Sequence, residues 1–387
     1  MSPSSPLPLT FIHVSDLHFG AGPAGHRFNQ AIVTEGILRD VKRILQKVGG
    51  PPDWIFVTGD VAFSGQAKEY ESAHAWLVHL CEAAGVKASQ VFLVPGNHDG
   101  DRRLVTSTTI TSLIHHQVRA TPAHLDELLA KPAELATTLF PKQQAWADFT
   151  TKWGTSSFGS DPPWYQHALQ TGQGAITVMG LNSCLASFDD GDKPKDGVAQ
   201  LTLGKAQFAA VARVPDDTLL VILLHHPLEW LTDGQELETH LSHRPHLMFS
   251  GHVHEPGGGV THRLIGGGGV HVVAGAAHPD AKEKDLNPAY SWGRLGTTGL
   301  ELWPRRWAPD HGRFLPDGRV VLDRERIVIE KARLPESLTA WLKALDSQGS
   351  QNKAGTSGKP RRQRSPKKTP TSDTLPPQSL PTQVHPR

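Results

Sequence analysis

Cysteine is nearly absent. The 387-residue chain has two, Cys81 and Cys184, far apart and in no C-x-x-C pair, so a disulfide framework is excluded and a reducing compartment is the default. Long apolar runs are missing too, and none approaches the length of a membrane-spanning helix. The opening stretch "MSPSSPLPLTFIHVSD" lacks the basic and apolar regions of a signal peptide. The expectation is a cytoplasmic protein with no membrane partner. An excess of one charge is also lacking, with 39 Lys+Arg against 38 Asp+Glu. The charge is unevenly spread, however: eight basic side chains and one acid fall in 348–387, leaving 31 basic against 37 acidic before them. A mildly acidic body is a poor track for nucleic-acid phosphates, while the tail is basic. Histidine is plentiful at 22, which points to metal or acid–base chemistry.

Eight short apolar runs, most of them continuous rather than alternating, suit strands covered on both faces: 9–15, 53–59, 90–96, 175–181, 218–224, 246–250, 270–276 and 326–332. Helical spacing separates the early ones. Residues 28–48 place Ile32, Leu38, Val41 and Leu45 on one face before the "GGPP" that ends them. Residues 67–85 form a second helix, with Gly85 as its C-terminal cap. The alternation predicts an α/β domain over 1–347. Within it, 101–172 is a mostly helical insertion and 257–335 an accessory β-rich part, supplying hairpins of a second sheet. The Pro/Ser/Thr/Lys/Arg-rich segment 348–387 has little to bury and is expected to be disordered.

Five of the apolar runs end in metal-ligand residue types. Asp16 and His18 stand in "SDLHFG", where D-x-H spacing on an extended chain puts both on one face. Asp60 stands in "TGD", and Asn97, His98 and Asp99 in "PGNHDG". His225 and His226 follow in "LLHHPL", then His252 and His254 in "SGHVHE". Each fragment alone has an ordinary reading as turn chemistry or a solvated strand face; the ordered set does not. Mixed carboxylate, imidazole and amide donors suit Mn, Fe or Zn better than Mg or Ca. Six ligands, or seven with Asn97, exceed one ion's needs and fit two divalent ions sharing a bridging carboxylate, Asp60.

In this order, D-x-H, G-D, G-N-H-D, H and G-H-x-H resemble the calcineurin-like metallophosphoesterases over about 9–256. The resemblance implies a four-layer α/β fold, two stacked β-sheets flanked by helices, with the metal site at the strand ends. It implies Asp16, His18 and His254 on the first ion, Asn97, His225 and His252 on the second, and Asp60 as bridge. His226 is then a neighbour or substrate contact. The implied activity is hydrolysis of phosphate esters by a metal-activated hydroxide, with His98 serving the leaving oxygen. The protein Ser/Thr phosphatase pattern G-D-x-x-D-R-G is not met: Phe63 holds the second Asp position and no arginine follows. The chain is more similar to the bacterial phosphodiesterase and Mre11/SbcD branch, so diesters are preferred, and the orientation of His98 is left open. A nuclease and a non-catalytic scaffold are the alternatives; the expected partner is a phosphate-ester substrate, a nucleotide or nucleic acid among the candidates.

Four further segments carry two readings each. Residues 187–197 are a substrate loop or, preferably, an acidic surface turn. Arg102 and Arg103 are a phosphate clamp or solvated arginines. Residues 299–314 interleave Arg with Trp, for base stacking or, preferably, for edge-strand packing. The basic tail is a partner-binding arm or a solvated linker, the latter preferred. Residues 264–269 lack the Lys and Ser/Thr of a phosphate loop and read as a hairpin turn.

Overall fold

Apolar runs without alternation need cover on both faces, and two stacked sheets supply it. In the computed structural model, β1 (Leu9–Val14), β2 (Trp54–Val57) and β3 (Val91–Leu93) pair in parallel, with every residue buried. The second sheet has a parallel core of β5 (Gly174–Gly180), β6 (Leu219–Leu223), β7 (His246–Ser250) and β9 (Gly268–Val273). The structure describes residues 9–355 except Pro23, 155–157, 172–173, 189–191, 263–267, 279–286 and 322–324. The chain divides after Gly349, and of the second unit only the end of its last helix, Glu336–Gly355, is described. The rest of the expected disordered tail, and most of the 264–269 turn, lie outside the described residues.

The sheets meet through aromatic rings. Phe11 of β1 meets Phe249 of β7 edge-on at 4.9 Å between centroids, and Phe56 of β2 lies 4.7 Å from the same ring. Burying each such side chain contributes about 1.5–3 kcal/mol. Strand β6 shows both faces in use. Leu219, Val221 and Leu223 enter the core between the sheets, while Leu220, Ile222 and the following Leu224 pack outward. The outward set meets α8 (Lys205–Ala212) and α9 (Gly234–Leu241) through Phe208, Val211, Leu237 and Leu241.

On the first sheet the cover is α1 (Ala24–Val48) and α2 (Ala67–Ala84). Gly85 ends α2 in the left-handed region at φ 72°, as its sequence position predicts. The register of α1 differs from expectation: its buried stripe is Val33, Ile37, Val41, Ile44 and Val48, and Ile32 is 41% exposed. A helix wedged between a sheet and a second helix buries a face centred on the strands, and that centre is Ile37–Val41 rather than Ile32.

Helices α3 (Arg102–Val105), α4 (Thr109–Ala120), α5 (Ala123–Leu129), α6 (Pro132–Thr137) and α7 (Gln144–Thr150) fill the expected insertion. At Tyr165 it gives way to β4 (Tyr165–Thr171), antiparallel to β5 at the edge of the second sheet. The polar Gln166, His167 and Gln170 interrupt its apolar pattern, which hid the strand. The β-rich segment after 257 serves both sheets. β8 (Gly257–His262) pairs with β9 at the other edge of the second sheet. β10 (Ala289–Gly296) pairs with β1, and β11 (Gly299–Ala308), β12 (Arg313–Pro316) and β13 (Ile327–Glu330) extend that first sheet. The hairpins therefore complete mainly the first sheet, because β1 leaves an edge open there.

A buried ion pair ties this extension to α1. Arg305 of β11, 3% exposed, donates Nε to Asp40 Oδ2 at 2.7 Å and Nη2 to Oδ1 at 3.0 Å. Tyr290 donates its hydroxyl to the same carboxylate at 2.8 Å. Arg306 is held by Asp317 at 2.8 Å and Trp303 is buried, so residues 299–314 pack as a strand, the preferred reading. Asp40→Ala would leave the Arg305 guanidinium buried without its carboxylate, a loss expected to cost about 3–5 kcal/mol. A urea midpoint lowered at constant slope is the readout, with the exposed Ile32→Ala expected within about 0.5 kcal/mol of wild type.

Candidate metal centre

The loops after β1 and β2 continue the pairing of their strands. The Asp16, His18 and Phe19 N–H groups donate to the carbonyls of Gly59, Asp60 and Val61 at 3.0, 2.9 and 2.9 Å. This zip brings Asp16 and His18 beside Asp60. Asp60 Oδ2 lies 3.1 Å from His18 Nε2 and 3.5 Å from His225 Nε2, so one carboxylate oxygen faces both halves of the cluster. In one half, His254 Nε2 stands 3.4 Å from Asp16 Oδ1. In the other, His225 Nε2 is 3.0 Å from Asn97 Oδ1 and 3.1 Å from His252 Nδ1. All seven expected ligands are thus gathered at the ends of β1, β2, β3, β6 and β7.

The local backbone is not the extended chain that the i, i+2 spacing suggested. Among the described residues six non-glycines have φ between 49° and 70°, and five of them are Asp16, His18, Asp60, His252 and His254. Left-handed backbone at a non-glycine costs about 1–3 kcal/mol unless its surroundings impose it. Here the turn after each strand rotates the side chain toward the shared centre, which an extended chain would not do.

The donor chemistry fits a cation. His225 Nδ1 faces the Thr58 carbonyl at 2.7 Å, so this nitrogen carries the proton and donates. Nε2 of the neutral ring is then a lone pair facing the oxygens of Asn97 and Asp60. Buried acceptors facing acceptors need a positive charge between them. Burial pulls the His225 pKa down, yet the carboxylates of Asp60 and Asp16 outweigh it and lift it to about 9. Asp60 and Asp16 resist burial through their imidazole neighbours and are held below the usual carboxylate range. Asp16 Oδ1 and His226 Nε2, both buried, accept or donate no hydrogen bond. Groups with ligand atoms close enough for one ion are Asp16/His18/His254, Asp16/Asp60/His225, His18/Asp60/His98 and His225/His226/His252.

His226 is fully buried and bonded to Ser183 Oγ at 2.9 Å, so it is a neighbour rather than a substrate contact. Asp99 does not orient His98. It is buried and accepts from the N–H groups of Val61, Ala62 and Gly96 at 3.2, 2.8 and 2.9 Å, bracing the Asp60 loop against the Asn97 loop. Burial and the nearby Asp60 charge push its pKa up to about 7. His98 instead sets Nδ1 2.7 Å from the Phe63 carbonyl and lies over the Phe63 ring at 5.3 Å. That carbonyl is fixed in turn by Glu69 of α2, which accepts from Ser64 N and Gln66 N, each at 3.0 Å. Burial lowers the His98 pKa, partly offset by Asp60.

Sequence reasoning missed Phe63 as the orienting group, because a backbone carbonyl leaves no trace in residue identity. It also missed His278, 4.6 Å from the His18 ring, although His278 follows β9 as the other histidines follow their strands. Trp230, 4.3 Å from the His252 ring, carried no signal. A cavity of about 540 Å³ opens beside the cluster, with Asp60, His98, His252 and His254 on one side and Arg102, Asp192, Lys193, Trp230 and Val253 on its other walls. Arg103 is tied to Asp101 instead. Asp192 is buried, paired with Arg119 of α4 and bonded to Ser187, so the acidic surface turn preferred for 187–197 fails there; 189–191 lie outside the described residues. Arg119 and Lys142, which donates to the Ser187 carbonyl, fasten this wall to the helical insertion.

The chain belongs to the calcineurin-like phosphoesterase family, whose model matches residues 9–256. A metallophosphoesterase-like protein of Bacillus subtilis (strain 168), YydB, is 25% identical over 342 residues, 83% of this chain but 66% of its own length. Purple acid phosphatase PPD1 of yellow lupin (Lupinus luteus) is 13% identical with a TM-score of 0.42, over 79% of this chain and 52% of its own. A 5'-nucleotidase of Candida albicans is 11% identical with a TM-score of 0.41, over 89% and 58%. Among the described residues no helix is long and apolar enough to cross a membrane.

The centre tolerates no side chain at Gly96: a Cβ there would lie 2.1 Å from Asp60 Oδ1 and 2.3 Å from the Asp60 nitrogen. Gly96→Ala is expected to displace Asp60 and cut bound divalent metal, by elemental analysis, at least ten-fold below wild type. Metal content equal to wild type would show that Asp60 is not needed where the structure puts it.

Proposed function

We propose that this protein is a two-metal phosphoesterase that hydrolyses phosphate esters, with diesters preferred. The observation that carries this is Asp60, whose one oxygen faces His18 and His225 across two sets of donors. Asp16, His18 and His254 would hold one ion, Asn97, His225 and His252 the other, and Asp60 both. Imidazole and carboxylate together favour Mn, Fe or Zn. Divalent ions there supply charge to neutralise phosphoryl oxygens and to acidify a bound water.

The chain's own contribution is orientation and a proton. His98 donates Nδ1–H to the Phe63 carbonyl, which leaves Nε2 for the leaving oxygen, and the imidazolium form donates from that atom. Its backbone N–H donates to Asp60 Oδ1 at 2.8 Å, so proton donor and shared carboxylate move as one unit. A diester carries one negative charge where a monoester carries up to two. The cavity walls add two cationic side chains, Arg102 and Lys193, and lack the arginine that would follow Phe63 in the Ser/Thr phosphatase pattern. This modest cationic complement supports the diester preference.

The nuclease alternative drew on the basic tail and on 299–314; in the latter, Arg305 and Arg306 are paired with Asp40 and Asp317, which weakens that half of its support, and most of the tail lies outside the described residues. The scaffold alternative needs ligand positions to be lost, and all seven expected positions are filled.

Protein stripped and reloaded with Mn²⁺ is expected to cleave bis-p-nitrophenyl phosphate faster than p-nitrophenyl phosphate. His98→Ala should lower kcat for the diester by about 10²–10⁴-fold with metal content unchanged. Asp60→Ala should lose both metal and activity. Metal-loaded protein that leaves both esters intact would remove the catalytic reading.

A further inference from the structure

Lysine is almost never fully buried unless its charge is met. Lys142, in the short turn Phe140–Gln143 that precedes α7, is 3% exposed. It reaches two loops at once. Its carbonyl accepts from the Asp101 N–H at 2.8 Å, just beyond Asn97 and His98, and its stem lies against Gly100. Its Nζ donates to the Ser187 carbonyl, on the segment that runs to the cavity wall at Asp192 and Lys193. Gln143 ties the same segment at its start, where Asn182 donates Nδ2 to the Gln143 Oε1 at 2.9 Å. Arg119 of α4 holds the far end. It pairs with Asp192, donates Nε to the Ala186 carbonyl at 3.1 Å and lies 3.9 Å over the Phe188 ring. The insertion therefore grips both the loop that carries Asn97 and His98 and a wall of the cavity.

Buried polar groups that are fully satisfied rigidify the segments they join. Lys142 and Arg119 thus decide how far Asp192 and Lys193 stand from Asp60 and His98, which line the same cavity. We propose that Lys142 is a positioning residue that, with Arg119, sets the width of this cavity and so the size of ester the metal centre admits. This rests on the phosphoesterase reading and gives the helical insertion a part in selecting substrate. The charges around Lys142 make the grip depend on pH. It faces Asp192, Arg119, Arg102, Cys184 and, on α4, His115. Burial pushes the Cys184 thiol up and His115 down to about 3, so both stay neutral near pH 7. Arg119 takes up the Asp192 carboxylate, whose own pKa burial raises. Burial lowers Lys142 to about 7, against the pull of Asp192. Below that pH the ammonium makes a charge-assisted bond to the Ser187 carbonyl, and above it a neutral amine makes a weaker one.

Two diesters with one leaving group and different bulk test it, methyl p-nitrophenyl phosphate and bis-p-nitrophenyl phosphate, on the Mn²⁺-loaded full chain. They are compared at about pH 6 and about pH 8.5, on either side of the Lys142 value. The preference for the smaller ester, as a ratio of kcat/KM, cancels pH effects common to both. It is expected to fall about five-fold from the lower to the higher pH, the difference between a charge-assisted and a neutral hydrogen bond. Lys142→Arg, charged throughout, should keep the low-pH ratio at both, and Lys142→Met the high-pH ratio at both, with bound metal at the wild-type level. Calorimetric titration with dimethyl phosphate and diphenyl phosphate reads the same selection in binding. A ratio that Lys142→Met leaves at the wild-type value at both pH values overturns the proposal. Should Lys142→Met not fold, equal ratios in Lys142→Arg and wild type at the higher pH overturn it. Equal losses on both esters in Lys142→Met, restored by Lys142→Arg without any change of ratio, also overturn it, because Lys142 would then only hold the fold. Turnover of neither nitrophenyl ester removes the phosphoesterase reading, and the calorimetric ratio then decides the role of Lys142 by the same shifts.

Discussion

Carboxylate, amide and imidazole groups crowded around Asp60 set the terms for this molecule. Asp60, Asp16, Asn97, His225, His252, His18 and His254 converge with oxygen and nitrogen atoms 3.0–3.5 Å apart, buried apart from the half-exposed His252 and His254. Such a cluster is unfavourable unless positive charge sits within it, and the carboxylates of Asp60 and Asp16 favour the protonated form of His225 against its burial. A proton answers it partially. Divalent ions answer it for carboxylate, imidazole and amide together.

Much of the surrounding structure serves to keep the cluster closed. Five of its members accept left-handed backbone that their residue types ordinarily avoid. Gly96 and Gly251 let main chain approach Asp60, Asp16 and Ser15 more closely than any Cβ allows. Asp99, one of the metal-ligand residue types that follow β3, acts as a brace, gathering N–H groups from two loops. The capping contacts of Glu69 reach His98 through one carbonyl, so the first turn of α2 helps to aim a proton. Stability and function are coupled here through hydrogen bonds rather than through the apolar core.

How much of this was legible depended on where the information resides. The ligands could be read because each is a polar residue immediately after a buried strand, and the eight strand-forming runs declared themselves by continuous apolar composition. The turn geometry at Asp16, His18, His252 and His254 could not be read, because period-two reasoning assumes that the strand continues. The register of α1 was misplaced at Ile32 because helical spacing fixes which residues share a face but not which face meets the sheet. The pairing of β10 with β1 joins residues 278 to 286 apart in sequence, and no local pattern reports it. Phe63 and Trp230 escaped for the same reason: one acts through its backbone, the other through a distant neighbour.

Metal stoichiometry measured together with thermal unfolding tests the central claim most directly. Chelator-stripped protein is titrated with Mn²⁺ or Zn²⁺, and bound metal and Tm are recorded at each step. The account predicts saturation at two ions per chain with Tm rising throughout, because ions that bind the folded cluster stabilise it by mass action. A folded protein that binds no ions, or whose Tm is indifferent to them, would contradict it: the lone pairs would then be satisfied by protons alone.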